Sequence, residues 1–300
     1  MSADPLFPGF TTGFHSCLDG VDIAYVAGGN GPPLLLLHGY PQTRAMWSEL
    51  AGTLAQSFTV IAADLRGYGA SSKPEPNQDG APYSFRDMAA DMLSLMSALG
   101  HQRFHLTAHD RGARVGHRLA LDAPERLISL CLLDIIPTTD VWANMDAEMS
   151  LAYWHWPLLA QSPGFASSLI TPDPDGFFEH CLQSWGKAKL TDFDPESLEA
   201  YRAAWRDPAM IIATCADYRS GAFADLDHDR QDEQKTIQCP LLVLYGARGV
   251  LAQKFDVGAL WRRRASGPVQ CEAIDGGHFF VDTAPTETLA ALRDFLHAPP

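Results

Sequence analysis

Residues 104–112, FHLTAHDRG, constrain this chain more than any other stretch. Phe104 to Ala108 reads as a short buried strand. Arg111 through Leu121 has helical spacing, with Val115, Leu119 and Ala120 on one side. Asp110 therefore falls on a turn from strand to helix, with small residues at Ala108 and Gly112 where the backbones approach. That is the arrangement of a nucleophile elbow, which holds one side chain above the end of a sheet. A carboxylate at this point selects the chemistry. A serine that displaced a leaving group from a saturated carbon would end as an ether, which water does not readily cleave. A carboxylate ends as an ester, which activated water hydrolyses at the side-chain carbonyl. Asp110 thus points to displacement at an sp3 carbon, with halide or epoxide oxygen leaving. The competing use of such an Asp is a helix N-cap. The elbow holds no serine, so a serine esterase is poorly supported.

The rest of the chain supplies the surroundings of this turn. Val21 to Ala27 reads as a strand, and Leu34 to Leu37 is a continuous apolar run suited to a parallel strand covered on both faces. A helix follows around Met46 to Leu54, then a strand at Thr59 to Ala63 that ends in DLRGYGASS. Ser84 and Asp87 form a capping box ahead of Met88, Met92, Leu95, Met96 and Leu99. Further strands are expected at Ile128 to Leu133, Leu241 to Tyr245 and Val269 to Ile274, and a last helix at Thr286 to Leu296. Alternating strands and helices predict a mostly parallel sheet with helices on both faces. Between 138 and about 230 the pattern changes to aromatic clusters and prolines without a clear strand. This segment is expected to be a helical cap over the strand C-terminal ends, where open parallel sheets bind ligands. The core would comprise residues 1–137 and 231–300, with Asp225 to Lys235 as a charged connector.

A formal net charge of −14 argues against nucleic acid or an anionic membrane surface as partner. It also means that a site for a small anion must be built locally from Arg or Lys. The WRRR run at 261–264 reads as a solvated helix face rather than such a site. No apolar run is long enough to span a bilayer, and MSADPLFPGF has no secretory pattern. Six scattered cysteines show no metal-type spacing, and buried thiols in a reducing cytoplasm are expected.

LLLLHGYPQT, DLRGYGASS, AHDRGAR and GGHFF follow one another in the order found in α/β-hydrolases with an Asp nucleophile and a helical cap. Within that superfamily the chain most resembles the fluoroacetate (haloacetate) dehalogenases. The residues that carry the resemblance are Asp110-Arg111, Arg114, LDIIPT at 133–138, His155-Trp156, and Tyr218 in CADYRSG. It implies that Asp110 attacks a substrate carbon and that His278, after two glycines, is the general base. Many members carry the orienting acid after the strand before last. Here that position is Gly249, and Asp134 is the substitute that matches the dehalogenase pattern; Asp256 and Asp275 are the rivals, read as a helix cap and a turn residue. The backbone N–H groups of Tyr40 and Arg111 would form the oxyanion hole. His38 and His109 are expected to be structural.

Arg111 and Arg114 oppose the dipole of the helix they begin, which calls for compensating anions. The resemblance implies that they clamp a substrate carboxylate, with ion pairs to cap acids as the alternative. His155, Trp156 and Tyr218 would surround the halide, the alternative being an aromatic cap core. The implied reaction is hydrolysis of a short 2-haloacid such as fluoroacetate to glycolate, with no cofactor or metal, by a homodimer. An epoxide hydrolase, with Tyr218 and Tyr153 protonating the ring oxygen, and a non-catalytic binding protein of the same fold are the rival expectations.

Overall fold

The computed structural model describes residues 4–298. Among them, eight strands form one sheet: β1 Thr11–Ser16, β2 Asp22–Gly28, β3 Pro33–Leu37, β4 Thr59–Ala63, β5 Phe104–His109, β6 Leu127–Leu133, β7 Leu241–Gly246 and β8 Val269–Ile274. The spatial order is β1-β2-β4-β3-β5-β6-β7-β8. β1 pairs antiparallel with β2, and β2 antiparallel with β4; from β4 onward in this order every pairing is parallel. The leucines of β3 are fully buried. Each removes about 1.5–3 kcal/mol worth of apolar surface from water, which fixes β3 beside β5 at the centre.

Seven of these strands follow from the sequence pattern, but β1 does not. TTGFHS is half-exposed along its length and lies at the sheet edge, so it lacks an apolar signature. The capping box of Ser84 and Asp87 opens a helix over Phe85–Ala98 as expected. Two local expectations need correction. The Asp225 to Lys235 stretch begins as a helix, Ala224–Gln231, and Asp225 is buried, where it accepts a hydrogen bond from the Phe85 N–H at 2.8 Å. In the WRRR run only Arg262 and Arg263 are exposed. Trp261 is fully buried and its indole donates to the Ile135 carbonyl.

From Thr138 to Gln231 the chain is a series of helices, the longest being Pro208–Ala222. Four of them start on an Asp whose carboxylate accepts a hydrogen bond from the helix N-terminus. Three of these, Pro174–Ser184, Pro195–Trp205 and Pro208–Ala222, also have Pro in the first turn. The Asp-Pro pairs at 173–174, 194–195 and 207–208 thus set where helices begin. These helices supply the aromatic side chains that face the C-terminal ends of β5 and β6.

Candidate active site

Asp110 begins the helix Asp110–Asp122 directly after β5, with φ +45°. Left-handed backbone is tolerated by Asp better than by most residues, and it costs conformational energy that the surrounding packing must hold. The close approach is real: a Cβ on Gly112 would lie 2.3 Å from the His38 carbonyl oxygen, so only glycine fits there. Asp110 Oδ1 accepts a hydrogen bond from the Tyr40 N–H at 2.9 Å. Oδ2 lies 3.9 Å from His278 Nε2. The two carboxylate oxygens are therefore distinguished, one tied to backbone and one turned toward an imidazole. Burial alone would raise the Asp110 pKa, but the charges of His278, His109, Arg111 and Arg114 outweigh it and bring the carboxyl down to about 2.

Asp134 follows β6 and has φ +51°. Its Oδ2 lies 2.6 Å from His278 Nδ1, and its Oδ1 accepts from the Gly246 N–H at 2.8 Å. Asp134, rather than Asp256 or Asp275, is thus the acid brought to His278. Asp256 caps the helix Val257–Arg262, and Asp275 pairs with exposed Arg248. Burial would depress the His278 imidazole. The hydrogen bond and charge of Asp134, with the charge of Asp110, reverse this and raise it. The ring's backbone is held on both sides: the Trp185 carbonyl accepts from the His278 N–H at 3.0 Å, and His109 Nε2 lies 2.9 Å from the His278 carbonyl. His109 and His38 do take structural places, His38 Nε2 accepting from the Leu65 N–H.

Arg111 is fully buried. Its Nε donates to Asp217 Oδ2 at 3.0 Å and its Nη2 to the Asp217 carbonyl at 2.8 Å, with a further bond from Nη2 to Asp217 Oδ1. An ion pair to an acid of the helical segment is thus realised for Arg111. Its Nη1 nevertheless has no partner among the described residues. Arg114 is held differently. Its Nη1 donates to the Ile136 carbonyl at 3.1 Å and to Thr138 Oγ1 at 3.0 Å, whereas Nε has no partner. Burial lowers the Arg114 pKa, and the charge of Asp110 offsets this only in part; among the described residues no acid forms an ion pair with Arg114.

Trp156 lies under the Arg114 guanidinium at 4.6 Å, and Tyr218 under that of Arg111 at 4.2 Å. The rings of His155 and Tyr218 are edge to face at 5.5 Å, and both contact the Tyr40 ring. His155 Nδ1 and the Tyr218 hydroxyl are buried without a hydrogen-bond partner among the described residues. Burial drives the His155 pKa well below the usual imidazole value, so the ring is neutral and offers one N–H. A cavity of about 260 Å³ opens above Asp110, Tyr153, His155, Trp185 and His278 toward Lys187 and Arg248. Of the residues singled out from sequence, Asp110, Asp134, His155 and His278 line this cavity, whereas Arg111, Arg114, Trp156 and Tyr218 are not among its lining and join the group through ring and guanidinium contacts. Among the described residues, no group of three or more His, Cys, Asp or Glu is arranged to hold a metal ion.

A model of the α/β hydrolase fold matches residues 32–285. The chain belongs to the α/β-hydrolase family. This α/β hydrolase is 48% identical to a fluoroacetate dehalogenase of Burkholderia sp over 92% of its own length and 90% of the relative's. A soluble epoxide hydrolase of Corynebacterium sp. (strain C12) is 29% identical over 91% and 93% of the two chains. The crystal structure of a protein from Nostoc sp PCC 7120, assigned to the α/β hydrolases, superposes with a TM-score of 0.94 at 44% identity, covering 97% of this hydrolase and 99% of that chain.

Two neighbours of the site escape sequence reasoning. Trp185 packs on His155 at 3.9 Å between ring centres, and its indole N–H is buried without a hydrogen-bond partner among the described residues. It sits among many aromatic residues, and nothing local distinguishes it. Asp217 does carry a signal: it is an acid within a helix, PAMIIATCADYRSGA, that is buried on most sides, so it requires a buried cation.

Proposed function

We propose that this protein hydrolyses short 2-haloacids such as fluoroacetate to glycolate through an ester on Asp110. The observation that carries this reading is a set of buried polar atoms without hydrogen-bond partners among the described residues: Arg111 Nη1, Arg114 Nε, His155 Nδ1 and Tyr218 Oη. Leaving such donors unsatisfied is costly, and for a guanidinium with no ion-pair partner among the described residues, as for Arg114, the natural partner is an anion. A substrate carboxylate would meet Arg111 and Arg114, and a departing halide would meet His155, Trp156 and Tyr218. A neutral epoxide would satisfy the tyrosine but not Arg114.

In the proposed sequence, Asp110 Oδ2 attacks the α-carbon, the carbon–halogen bond breaks, and the halide leaves with the electron pair. A water between Oδ2 and His278 Nε2 then loses a proton to His278 and attacks the Asp110 carboxyl carbon. The 3.9 Å separation is too long for a direct hydrogen bond and suits a bridging water. The oxyanion develops on Oδ1, where the Tyr40 N–H already points, with the Arg111 N–H as second donor. Collapse breaks the bond to the glycolate oxygen, which takes the proton from His278, and Asp110, which keeps the water's oxygen, loses the second water proton to solvent and returns to its carboxylate. Asp134 stabilises the imidazolium between these steps. Residues 138–230 serve as a cap that closes this chemistry from solvent. The resemblance further supports a homodimer, and scattered cysteines without metal-type spacing fit a reducing cytoplasm. Among the described residues no helix is long and apolar enough to cross a membrane.

Halide release from fluoroacetate and chloroacetate, with a small neutral epoxide alongside, tests the reading. Arg114→Met should lower kcat/KM for the haloacetates by about 30-fold or more, the cost of unpairing a buried charge. Epoxide turnover without halide release, unaffected by Arg114→Met, would favour the epoxide hydrolase instead.

A further inference from the structure

We infer that Asp217 is a positioning residue that fixes Arg111 so that one guanidinium nitrogen, Nη1, is presented to the substrate. This role rests on the haloacid reading above. Asp217 and Arg111 are both fully buried. The acid engages Nε and Nη2 through its two carboxylate oxygens, and its own carbonyl takes a second bond from Nη2. Oδ2 is in turn fixed by the Tyr68 hydroxyl at 2.6 Å. Tyr68 belongs to the loop after β4, so the acid is anchored from the core side as well as by its own helix, Pro208–Ala222.

An unpaired donor on a buried arginine is costly; Arg44 Nε and Arg118 Nη1 also lack a hydrogen-bond partner among the described residues, but only Arg111 and Arg114 hold such a donor beside Asp110. Here the hydrogen bonds of the Arg111 side chain are spent on Asp217, and they lie on the Nε–Nη2 edge. Nη1 is buried and unpartnered among the described residues. The guanidinium is planar, so fixing one edge fixes where the remaining nitrogen points. The surroundings hold this pose. Phe85 and Tyr218 lie over the guanidinium at 4.6 and 4.2 Å, and a Cβ on Gly221 would come within 3.0 Å of Nη2. Because Asp217 directly precedes Tyr218, one turn of helix sets both Arg111 and the Tyr218 hydroxyl. The pair also divides labour between the arginines. Asp217 balances the charge of Arg111, which becomes a directed donor, while Arg114 forms no ion pair among the described residues.

The test is a double-mutant cycle on the full chain with Asp217→Asn, Arg111→Lys and both together. It reads kcat, KM for fluoroacetate, the dissociation constant of acetate by calorimetry, and Tm. Asp217→Asn should raise KM and weaken acetate about 10- to 100-fold, as for loss of charge-assisted hydrogen bonds. In the Arg111→Lys background the same substitution should have little further effect, because it acts through Arg111. Tyr68→Phe, which leaves the ion pair intact, should give a smaller change of the same kind and serves if Asp217→Asn does not fold. Effects that multiply across the cycle, or a loss of Tm with KM and acetate binding unchanged, would overturn the positioning role alone. A folded wild type that neither binds acetate nor releases halide would overturn the haloacid reading itself, and this role with it.

Discussion

Replacing Asp134 by Asn separates the two halves of the proposed reaction. Asp134 Oδ1 accepts from the Gly246 N–H and Oδ2 faces His278 Nδ1 at 2.6 Å. In the Asp134→Asn variant the amide oxygen must stay with the Gly246 N–H, which turns the amide NH2 toward Nδ1. Nδ1 then has to accept, and the ring proton moves to Nε2, the nitrogen facing Asp110. The base loses its lone pair where water must be activated. The imidazolium also loses its counter-charge. At 2.6 Å and an effective dielectric of about 20, that charge is worth roughly 6 kcal/mol, or about 10⁴-fold in rate. Alkylation of Asp110 needs no base, so the variant should still release close to one halide per enzyme in a rapid-quench experiment. Steady-state release should then fall by about 10³- to 10⁴-fold while the Asp110 ester accumulates. Turnover within tenfold of wild type, or loss of the burst along with turnover, would refute the assignment of Asp134 to ester hydrolysis.

The pH dependence should split in the same way. His278 must be neutral to act as base and its pKa is raised, so the acid limb of steady-state turnover should lie above the ordinary histidine value, whereas Asp110, near 2, stays ionised and the halide burst should persist well into the acid range. Elsewhere, burial raises the Asp282 carboxyl to about 7, although Tyr201 and Gln42 both donate to it. The unfolded chain ionises this group first as pH rises, so it costs stability increasingly up to pH 7. Asp282→Asn removes that cost, and its stability relative to wild type, from denaturant melts, should shift upward by roughly 2–3 kcal/mol between pH 5 and pH 8.

The elbow was legible because it needs particular residues at consecutive positions: an apolar strand, small flanking residues and a polar side chain on the turn. The burial of β3 and β5 follows from their uninterrupted apolar runs. The acid beside His278 was legible through the resemblance: with glycine at 249, Asp134 is the strand-end acid that matches the dehalogenase pattern, and the structure places it 2.6 Å from His278 Nδ1. The partner of Arg111 was not, because Asp217 is 106 residues away and only the packing of the Pro208–Ala222 helix on the core brings them together. The same holds for Trp185, whose carbonyl meets the His278 N–H across the fold. Edge strand β1 lacked a pattern because half of its surface faces water, where composition is free to vary.

The proposed chemistry makes Asp110 carry the substrate's carbon for part of every cycle. Incubating His278→Asn with fluoroacetate and mapping the protein by peptide mass spectrometry reads this directly. The account predicts a carboxymethyl ester on Asp110, matched by one fluoride released per site and little thereafter. An unmodified Asp110 under conditions where wild type turns over fluoroacetate would contradict it.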